Sequence, residues 1–199
     1  MINEVYFYWI GWMLWILTTF FMSYGRERDL YTIWLMSLMI LSNTNIHIGL
    51  TQINASTFPI MLGSIILLLN LQRQIYLTVC TVTIILGYTS ILFWEIVAPV
   101  WLFLPRELLI PLLLGLTALI LVNELKSRIC VILLGATMGE YVFSFYLFSY
   151  GMTRGVGELP FLGNIMMTIV IIVFLDIIRK SRVKKVKNHD LPIDLEVAK

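Results

Sequence analysis

The sequence predicts an all-α polytopic integral membrane protein with seven transmembrane helices, its N-terminus outside the cell and its C-terminus inside. Hydrophobic residues make up 59% of the chain and charged residues 13%, whereas soluble domains contain roughly 45–50% and 25%. The charges are confined to short islands between long apolar runs, and most Trp side chains lie near the ends of these runs, where membrane proteins place interfacial aromatic rings. Because the apolar runs are continuous rather than alternating, they exclude a transmembrane β-barrel.

Each predicted helix follows from an apolar run close to the roughly 20 residues that a bilayer crossing requires. The second run is apolar only as far as Leu41 and then unusually polar, and the third run is short. Pro105 opens the fifth helix and Pro111 interrupts it. The predicted spans are residues 5–24, 30–52, 58–71, 75–94, 107–122, 129–150 and 159–178, and the apolar linker 95–106 is expected to form an interfacial hairpin.

The distribution of basic residues determines the predicted orientation. With seven spans and an outside N-terminus, twelve Lys and Arg residues lie on the inner side and only two, Arg106 and Arg154, lie on the outer side. This is the asymmetry that the positive-inside rule describes. Residues 1–178 are therefore predicted to form the transmembrane domain and residues 179–199 a basic, poorly ordered cytoplasmic tail. The stretch from Arg179 to Lys187 is expected to contact anionic lipid, and no nucleic-acid partner is expected.

Glu140 is the most informative single residue because it lies inside the sixth apolar run. A charged side chain at the centre of a bilayer costs at least about 2.5 kcal/mol, so Glu140 requires a compensating environment. Ser144 lies one helical turn away, and Gly135 and Gly139 form a pair of small residues that lets another helix approach closely. Two interpretations remain open. Glu140 is either a protonated or hydrogen-bonded carboxyl that holds helices together, or a proton or cation site in a cavity.

A second group of polar residues lies in the outer half of the predicted second span. Its members recur at the spacing of one helix face. They are Asn43, His47, Thr51 and Asn54. We expect this face to point toward the bundle or a watery vestibule, because a polar face is costly in lipid. The group is either a network of interhelical hydrogen bonds or part of a functional site.

Charged residues at the predicted outer ends of the helices form a third candidate group, which comprises Glu95, Arg106, Glu107, Arg154 and Glu158. Their simplest role is interfacial, since exposed ion pairs contribute little to stability. If the outer half opens as a vestibule, its two basic groups would bind an anionic group. Pro111 cannot donate a hydrogen bond to the carbonyl of Glu107, and the resulting kink is found near transport sites as well as in ordinary membrane helices.

The remaining charged and thiol side chains have structural interpretations. Glu124 lies four residues before Arg128, and Asp176 lies four residues before Lys180, so both pairs are expected to form solvated ion pairs at helix ends. The two cysteines, Cys80 and Cys130, both lie inside apolar segments, and we expect buried free thiols rather than disulfides.

The sequence contains no signature of catalysis or cofactor binding. It has no H-E-x-x-H, G-x-S-x-G, C-x-x-C or P-loop motif, and the seventh span has no Lys that would form a retinal Schiff base. The second histidine, His189, is predicted on the opposite side of the membrane from His47, which argues against a metal site. We therefore expect no enzyme activity, no cofactor and no metal. A membrane-embedded lipid enzyme would need an acid or base near Glu140, and His47 is the one candidate.

Three features describe the chain as a whole: an aromatic opening at residues 7–22, the R-E-R-D island at residues 26–29, and the basic C-terminal tail. In these features and in length, the chain resembles the YphA-type family of multi-pass membrane proteins of Bacillus and related bacteria, to which no function is assigned. The resemblance implies a location in the bacterial cell membrane. It carries over no catalytic or binding residue.

The sequence by itself favours a structural or partner-binding protein of the bacterial cell membrane. The alternative is a small transporter or proton-coupled carrier, in which an outward-facing vestibule beside His47 leads to Glu140. Under the first hypothesis Glu140→Gln leaves function intact, whereas under the second it abolishes flux in a protein that still folds. The geometry that distinguishes them is whether the second and sixth helices share a cavity.

Overall fold

A computed structural model describes residues 2–48, 51–97 and 105–189. This part of the chain forms seven α-helices and one β-hairpin. They are α1 (Ile2–Ile16), continued by a π-helical segment (Leu17–Phe21), α2 (Arg26–Leu41), β1 (Asn45–Ile48), β2 (Thr51–Asn54), α3 (Thr57–Asn70), α4 (Gln74–Val97), α5 (Arg106–Leu121), α6 (Leu125–Ser149) and α7 (Leu159–His189).

Three helical segments in the described part of the chain are long and apolar enough to cross a membrane. They are Gln74–Val97, Leu125–Ser149 and Leu159–Arg179. Two shorter apolar helices cover Tyr6–Phe21 and Thr57–Asn70. The chain is therefore a helical protein with membrane-length apolar helices.

The apolar runs located most helix boundaries to within a few residues. Helix α5 begins directly after Pro105 and contains Pro111, which is buried. Helix α7 continues past the predicted end at Ile178 as far as His189, so the first part of the predicted tail is helical. Residues 98–104 of the predicted interfacial hairpin and residues 190–199 of the tail lie outside the described residues.

The prediction of a single helix over residues 30–52 is wrong. Helix α2 ends at Leu41, and β1 pairs with β2 in an antiparallel hairpin in which Asn45 lies opposite Asn54. The segment N-I-H-I alternates polar and apolar residues, and a period of two is that of a strand rather than a helix. The four polar residues predicted to share a helix face therefore do not share one: Asn43, His47, Thr51 and Asn54.

The hairpin is joined to the loop that connects α6 and α7. The backbone N–H of Asn54 donates to the backbone carbonyl of Val156 at 2.9 Å, and the backbone N–H of Val156 donates to the backbone carbonyl of Gln52 at 2.8 Å. These two bonds form a parallel bridge between β2 and the loop. The end of the bundle that contains the hairpin and loop 150–158 is called the hairpin end below.

The helices pack in two groups. Helix α6 packs mainly on α4 and α3, whereas α7 packs mainly on α5 and α1. Helix α2 contacts α1 of one group and α3 of the other. The boundary along which α4 and α6 meet α5 and α7, where contact is less extensive, is called the seam below.

Helix α6 is deeply buried, since every residue from Cys130 to Thr137 is buried. Its small residues face α4. A Cβ atom at Gly135 would lie 2.6 Å from Ile84 Cγ2, and one at Gly139 would lie 2.9 Å from Tyr88 Cδ1. No real Cβ tolerates such distances, so the two glycines allow α4 to approach α6 closely. The role predicted for this pair of small residues is confirmed.

Candidate functional site

Glu140 lies on α6, nine residues before the end of the helix at Ser149, and only 1% of its surface is exposed. The Tyr88 hydroxyl on α4 donates a hydrogen bond of 2.9 Å to Glu140 Oε2. Arg154 Nη2 lies 3.9 Å from Glu140 Oε1, which makes an ion pair longer than a hydrogen bond. A buried carboxylate is tolerated only where such partners offset the lost hydration. Tyr88 and Arg154 supply the compensating environment that the sequence required.

Arg154 reaches Glu140 from the loop between α6 and α7. Because Val156 in the same loop is hydrogen-bonded to β2, the hairpin fixes the backbone near Arg154. The guanidinium carbon also lies 5.1 Å from the centre of the Phe143 ring, within the range of a cation–π interaction. The Arg154 side chain is 26% exposed. Arg154 therefore connects a fully buried carboxylate to the surface at the hairpin end.

Two polar atoms at this site are buried and have no hydrogen-bond partner within the described residues, namely Glu140 Oε1 and Ser144 Oγ. Ser144 lies one helical turn nearer the hairpin end, and both atoms can accept a hydrogen bond. Arg106 and Glu158 also act electrostatically on Glu140. The arrangement can hold a proton, or a small group that donates hydrogen bonds, beside the carboxylate.

The charges predicted at the outer helix ends form a second ion pair at the hairpin end. Arg106 Nη1 at the start of α5 lies 3.0 Å from Glu95 Oε1 near the end of α4, and both side chains are mostly buried. Glu107, in the first turn of α5, is partly buried. Because the Arg106 guanidinium is paired with the Glu95 carboxylate, it is not free to bind an anion in the way the sequence suggested.

The structure does not bring the predicted histidine to Glu140. His47 lies on β1 opposite Gln52, and its side chain is exposed, like that of Asn43. Thr51 is partly buried on β2. No hydrogen bond or ion pair between described residues joins His47 to Glu140. His47 therefore makes no described contact by which it would act as the acid–base partner of Glu140. Of the predicted candidates, Ser144, one helical turn away, and Arg154 lie near Glu140.

Asn54, the fourth member of the predicted helix face, has a structural role. Its buried Nδ2 donates to the Ser42 carbonyl at 2.7 Å and to Asn45 Oδ1 at 3.1 Å. Its Oδ1 accepts bonds from the Ser56 amide at 3.0 Å and the Ser56 hydroxyl at 2.6 Å. Asn54 thus ties the end of α2 and the hairpin to the start of α3.

A buried ion pair at the opposite end of α6 was not predicted. Arg128 is fully buried; its Nη1 lies 3.7 Å from Asp176 Oδ1 on α7, and its Nε donates to the Val122 carbonyl at 2.6 Å. Arg128 Nη1 and Nη2 have no hydrogen-bond partner within the described residues. The solvated pair expected between Arg128 and Glu124 is not formed, because Arg128 turns toward α7 and Glu124 accepts a bond from Ser127 at 3.2 Å.

Tyr88 and Arg154 are the members of the Glu140 site that sequence reasoning did not assign to it. Tyr88 lies 52 residues before Glu140, so no local spacing links the two. One signal was available, because Tyr88 lies deep in an apolar span rather than at its end, and a buried Tyr hydroxyl needs a partner. The sequence placed Arg154 among the outer charges, as an interfacial residue or an anion-binding group of a vestibule, and not beside Glu140.

Comparison with known proteins identifies the family. The sequence model of the family of YphA-like integral membrane proteins matches residues 3–190 of this chain. A relative from Bacillus subtilis (strain 168), the uncharacterized protein YphA, is 24% identical over 161 residues, which cover 80% of each chain. No solved structure matches this chain. The resemblance seen in the sequence and the bacterial membrane location that it implies are both confirmed. The chain therefore belongs to the YphA-like family, and it is a helical integral membrane protein of bacteria.

Proposed function

We propose that this protein is a small carrier of the bacterial cell membrane in which Glu140 exchanges a proton or another small cation. The proposal rests on one observation, the environment of the Glu140 carboxylate. The group is buried between α4 and α6, accepts a hydrogen bond from Tyr88, and pairs with Arg154, which is partly exposed at the hairpin end. Ionisable groups inside membrane proteins commonly mark ion or substrate pathways. In this proposal Arg154, rather than His47, leads to Glu140.

The incomplete ion pair favours exchange over a purely structural role for Glu140. Its distance to Arg154 is 3.9 Å, and Glu140 Oε1 has no hydrogen bond within the described residues. Buried ion pairs contribute little net stability, because the cost of desolvation offsets their attraction. A proton bound to Oε1 would make this oxygen a hydrogen-bond donor to an acceptor such as Ser144 Oγ, and an ammonium group between Oε1 and Ser144 Oγ would donate to both.

A structural or partner-binding membrane protein is the second candidate function. It is supported by the close packing of α4 on Gly135 and Gly139 and by the bond between Tyr88 and Glu140. Interhelical hydrogen bonds in membranes contribute about 0.6–2 kcal/mol each. Under this alternative the Glu140 carboxyl holds α4 against α6, and its ionisation has no role in transport.

The proposal includes seven spans, with the hairpin end outside the cell and the C-terminus inside. This orientation agrees with the excess of basic residues on the inner side. It places the stretch from Arg179 to Lys187 at the inner leaflet. Attraction to anionic lipid there contributes about 1 kcal/mol of binding free energy per basic residue. Reporter fusions at each terminus test it. An enzyme that is active only in the periplasm should be active at the N-terminus and inactive at the C-terminus, and the reverse result contradicts the orientation.

Proton flux tests the carrier function. The purified protein is reconstituted into liposomes that contain a pH indicator, and a membrane potential is imposed with potassium and valinomycin. We expect flux from the wild-type protein and none from Glu140→Gln, with an unchanged unfolding midpoint in detergent. Glu27→Gln is the matched control, because Glu27 is an exposed carboxylate at the other end of the bundle. If Glu140→Gln keeps its flux and loses stability, the structural role is correct and the carrier role is wrong.

Carbodiimide labelling gives an independent test that requires no transported solute. The reagent modifies a carboxyl that is protonated and reachable. We expect Glu140 to be labelled at low pH and less as pH rises, with Glu140→Gln as the background. Absence of labelling at every pH in a folded protein contradicts a route from water to Glu140.

A further inference from the structure

Two ion pairs among the described residues lie at opposite ends of the seam. At the hairpin end, Glu95 of α4 pairs with Arg106 of α5 at 3.0 Å. At the opposite end, Arg128 of α6 pairs with Asp176 of α7 at 3.7 Å. Each of these pairs joins a helix of one group to a helix of the other.

The pair between Glu140 and Arg154 belongs to the same boundary. Arg154 lies in the loop that leads into α7, and Tyr88, which binds Glu140, has its ring 6.2 Å from the ring of Phe161 on α7. The Glu140 site is therefore located where α4, α6 and α7 meet. Between the two ends, the seam contains the apolar cluster of Ala118, Ile132 and Ile172 from α5, α6 and α7.

The two buried pairs are poorly completed. The Glu140–Arg154 pair measures 3.9 Å and the Arg128–Asp176 pair 3.7 Å, and both distances are longer than a hydrogen bond. Glu140 Oε1 and both Arg128 Nη atoms have no hydrogen bond within the described residues. Because such pairs add little net stability, they can separate at modest cost if the buried charges gain other partners. This is the property expected of contacts that open and close.

We propose that the seam is an alternating-access interface, in which the Glu140–Arg154 and Glu95–Arg106 pairs close the outer end and the Arg128–Asp176 pair closes the inner end. This inference rests on the proposed carrier function and names its moving parts. The two helix groups rock against each other, so opening one end closes the other. Glu140 and Ser144 bind the transported species just inside the outer pair.

The chemistry of the site selects a small cation with N–H or O–H donors. Glu140 Oε1 and Ser144 Oγ are both able to accept hydrogen bonds from it. An anion would meet the Glu140 carboxylate at close range. A cation that enters from the hairpin end competes with Arg154 for Glu140 and thereby releases the outer pair. Binding and opening are then linked through one carboxylate.

Cysteine accessibility tests this coupling without a known solute. Two buried reporters are introduced separately into a chain in which Cys80 and Cys130 are replaced by alanine. Ser144→Cys reports the outer half of the seam, and Ile132→Cys reports the inner half, one helical turn from Arg128. Each is labelled with a membrane-impermeant maleimide, Ser144→Cys in right-side-out vesicles and Ile132→Cys in inside-out vesicles.

Breaking one pair must change both reporters in opposite directions. We expect Asp176→Asn to raise labelling of Ile132→Cys and to lower labelling of Ser144→Cys, each by about tenfold, within the usual range of coupling between sites. Arg106→Gln should do the reverse. Arg106 and Glu95 are partly exposed, so this variant provides the test if Asp176→Asn does not fold. Circular dichroism and size-exclusion chromatography establish folding.

If each variant raises labelling at its own end and leaves the other reporter unchanged, the pairs are local packing contacts and the inference is overturned. That result is separable from failure of the carrier function itself. If the two reporters do not change in opposite directions but Glu140→Gln still loses flux, the proposal that the ion pairs act as gates is rejected and the carrier function stands. Normal flux in Glu140→Gln rejects the proposed role of Glu140, whatever the reporters show.

Discussion

Replacing Gly139 with Ala tests the packing of the Glu140 site directly. A Cβ atom at this position would lie 2.9 Å from Tyr88 Cδ1 and 3.3 Å from both Ile85 O and Thr89 Oγ1. The Tyr88 ring, or α4 as a whole, has to move away from α6. Because the Tyr88 hydroxyl donates to Glu140 at 2.9 Å, this movement also lengthens the hydrogen bond on which the buried carboxylate depends.

Two costs and one gain determine the expected change in the free energy of unfolding. Overpacking costs about 1–3 kcal/mol, and weakening the interhelical hydrogen bond costs up to about 0.6–2 kcal/mol. The higher helix propensity of Ala returns up to about 1 kcal/mol. We expect Gly139→Ala to lose about 1–3 kcal/mol, which lowers the folding equilibrium constant roughly 5- to 150-fold.

Unfolding in mixed micelles with increasing SDS, followed by circular dichroism, measures this loss. Gly87→Ala on α4 is the matched control, because a Cβ there would meet no atom within 4 Å while the gain in helix propensity is the same. Gly139→Ala should unfold at a clearly lower SDS fraction than Gly87→Ala. If the two variants unfold together, the close approach of α4 and α6 does not restrict this position and the reasoning is refuted.

Two further predictions concern the ends of the bundle. Asn54→Ala should destabilise the hairpin by roughly 1–3 kcal/mol, because buried partners such as the Ser42 carbonyl lose their donor; faster hydrogen exchange across residues 45–54 checks this, and unchanged exchange contradicts it. Lys126→Ala should leave the unfolding midpoint unchanged, since the pair of Lys126 with Glu27 is exposed; a clear shift in the midpoint would show that this contact is stronger than its exposure implies.

The sequence predicted an integral membrane protein because its composition and the length of its apolar runs depend directly on whether water or lipid surrounds the chain. The bounds of α4 and α6 followed from the same runs. The hairpin was missed for a specific reason. The spacing of polar residues at i and i+4 predicts a helix, whereas the alternation in N-I-H-I predicts a strand, and both patterns include His47. The period of two in N-I-H-I, followed directly by Gly49, was the more informative signal.

The partners of the buried charges could not be predicted from the sequence in the same way. Local spacing suggested that Arg128 pairs with Glu124, but Arg128 extends to Asp176 on another helix. Likewise Tyr88 reaches Glu140 only because α4 and α6 pack closely. A single sequence identifies the charge that needs a partner, whereas the partner depends on which helices become neighbours, and that is decided by packing over the whole chain.

The burial of α6 explains why its two buried charges, Arg128 and Glu140, define the most informative experiment. Because α6 is buried on every side through its middle, a charge on this helix must be met by protein. Arg128 and Glu140 lie twelve residues apart, about 18 Å along the helix axis, which is more than half of the roughly 30 Å hydrocarbon core. Asp176 meets the first charge, and Arg154, from the loop leading to α7, meets the second. In the proposed carrier, a solute that moves along the seam passes both pairs in turn, and a state with both pairs open would leak. The coupling between the pairs, rather than the strength of either one, therefore decides whether they act as gates, whereas the flux of Glu140→Gln decides between a carrier and a scaffold.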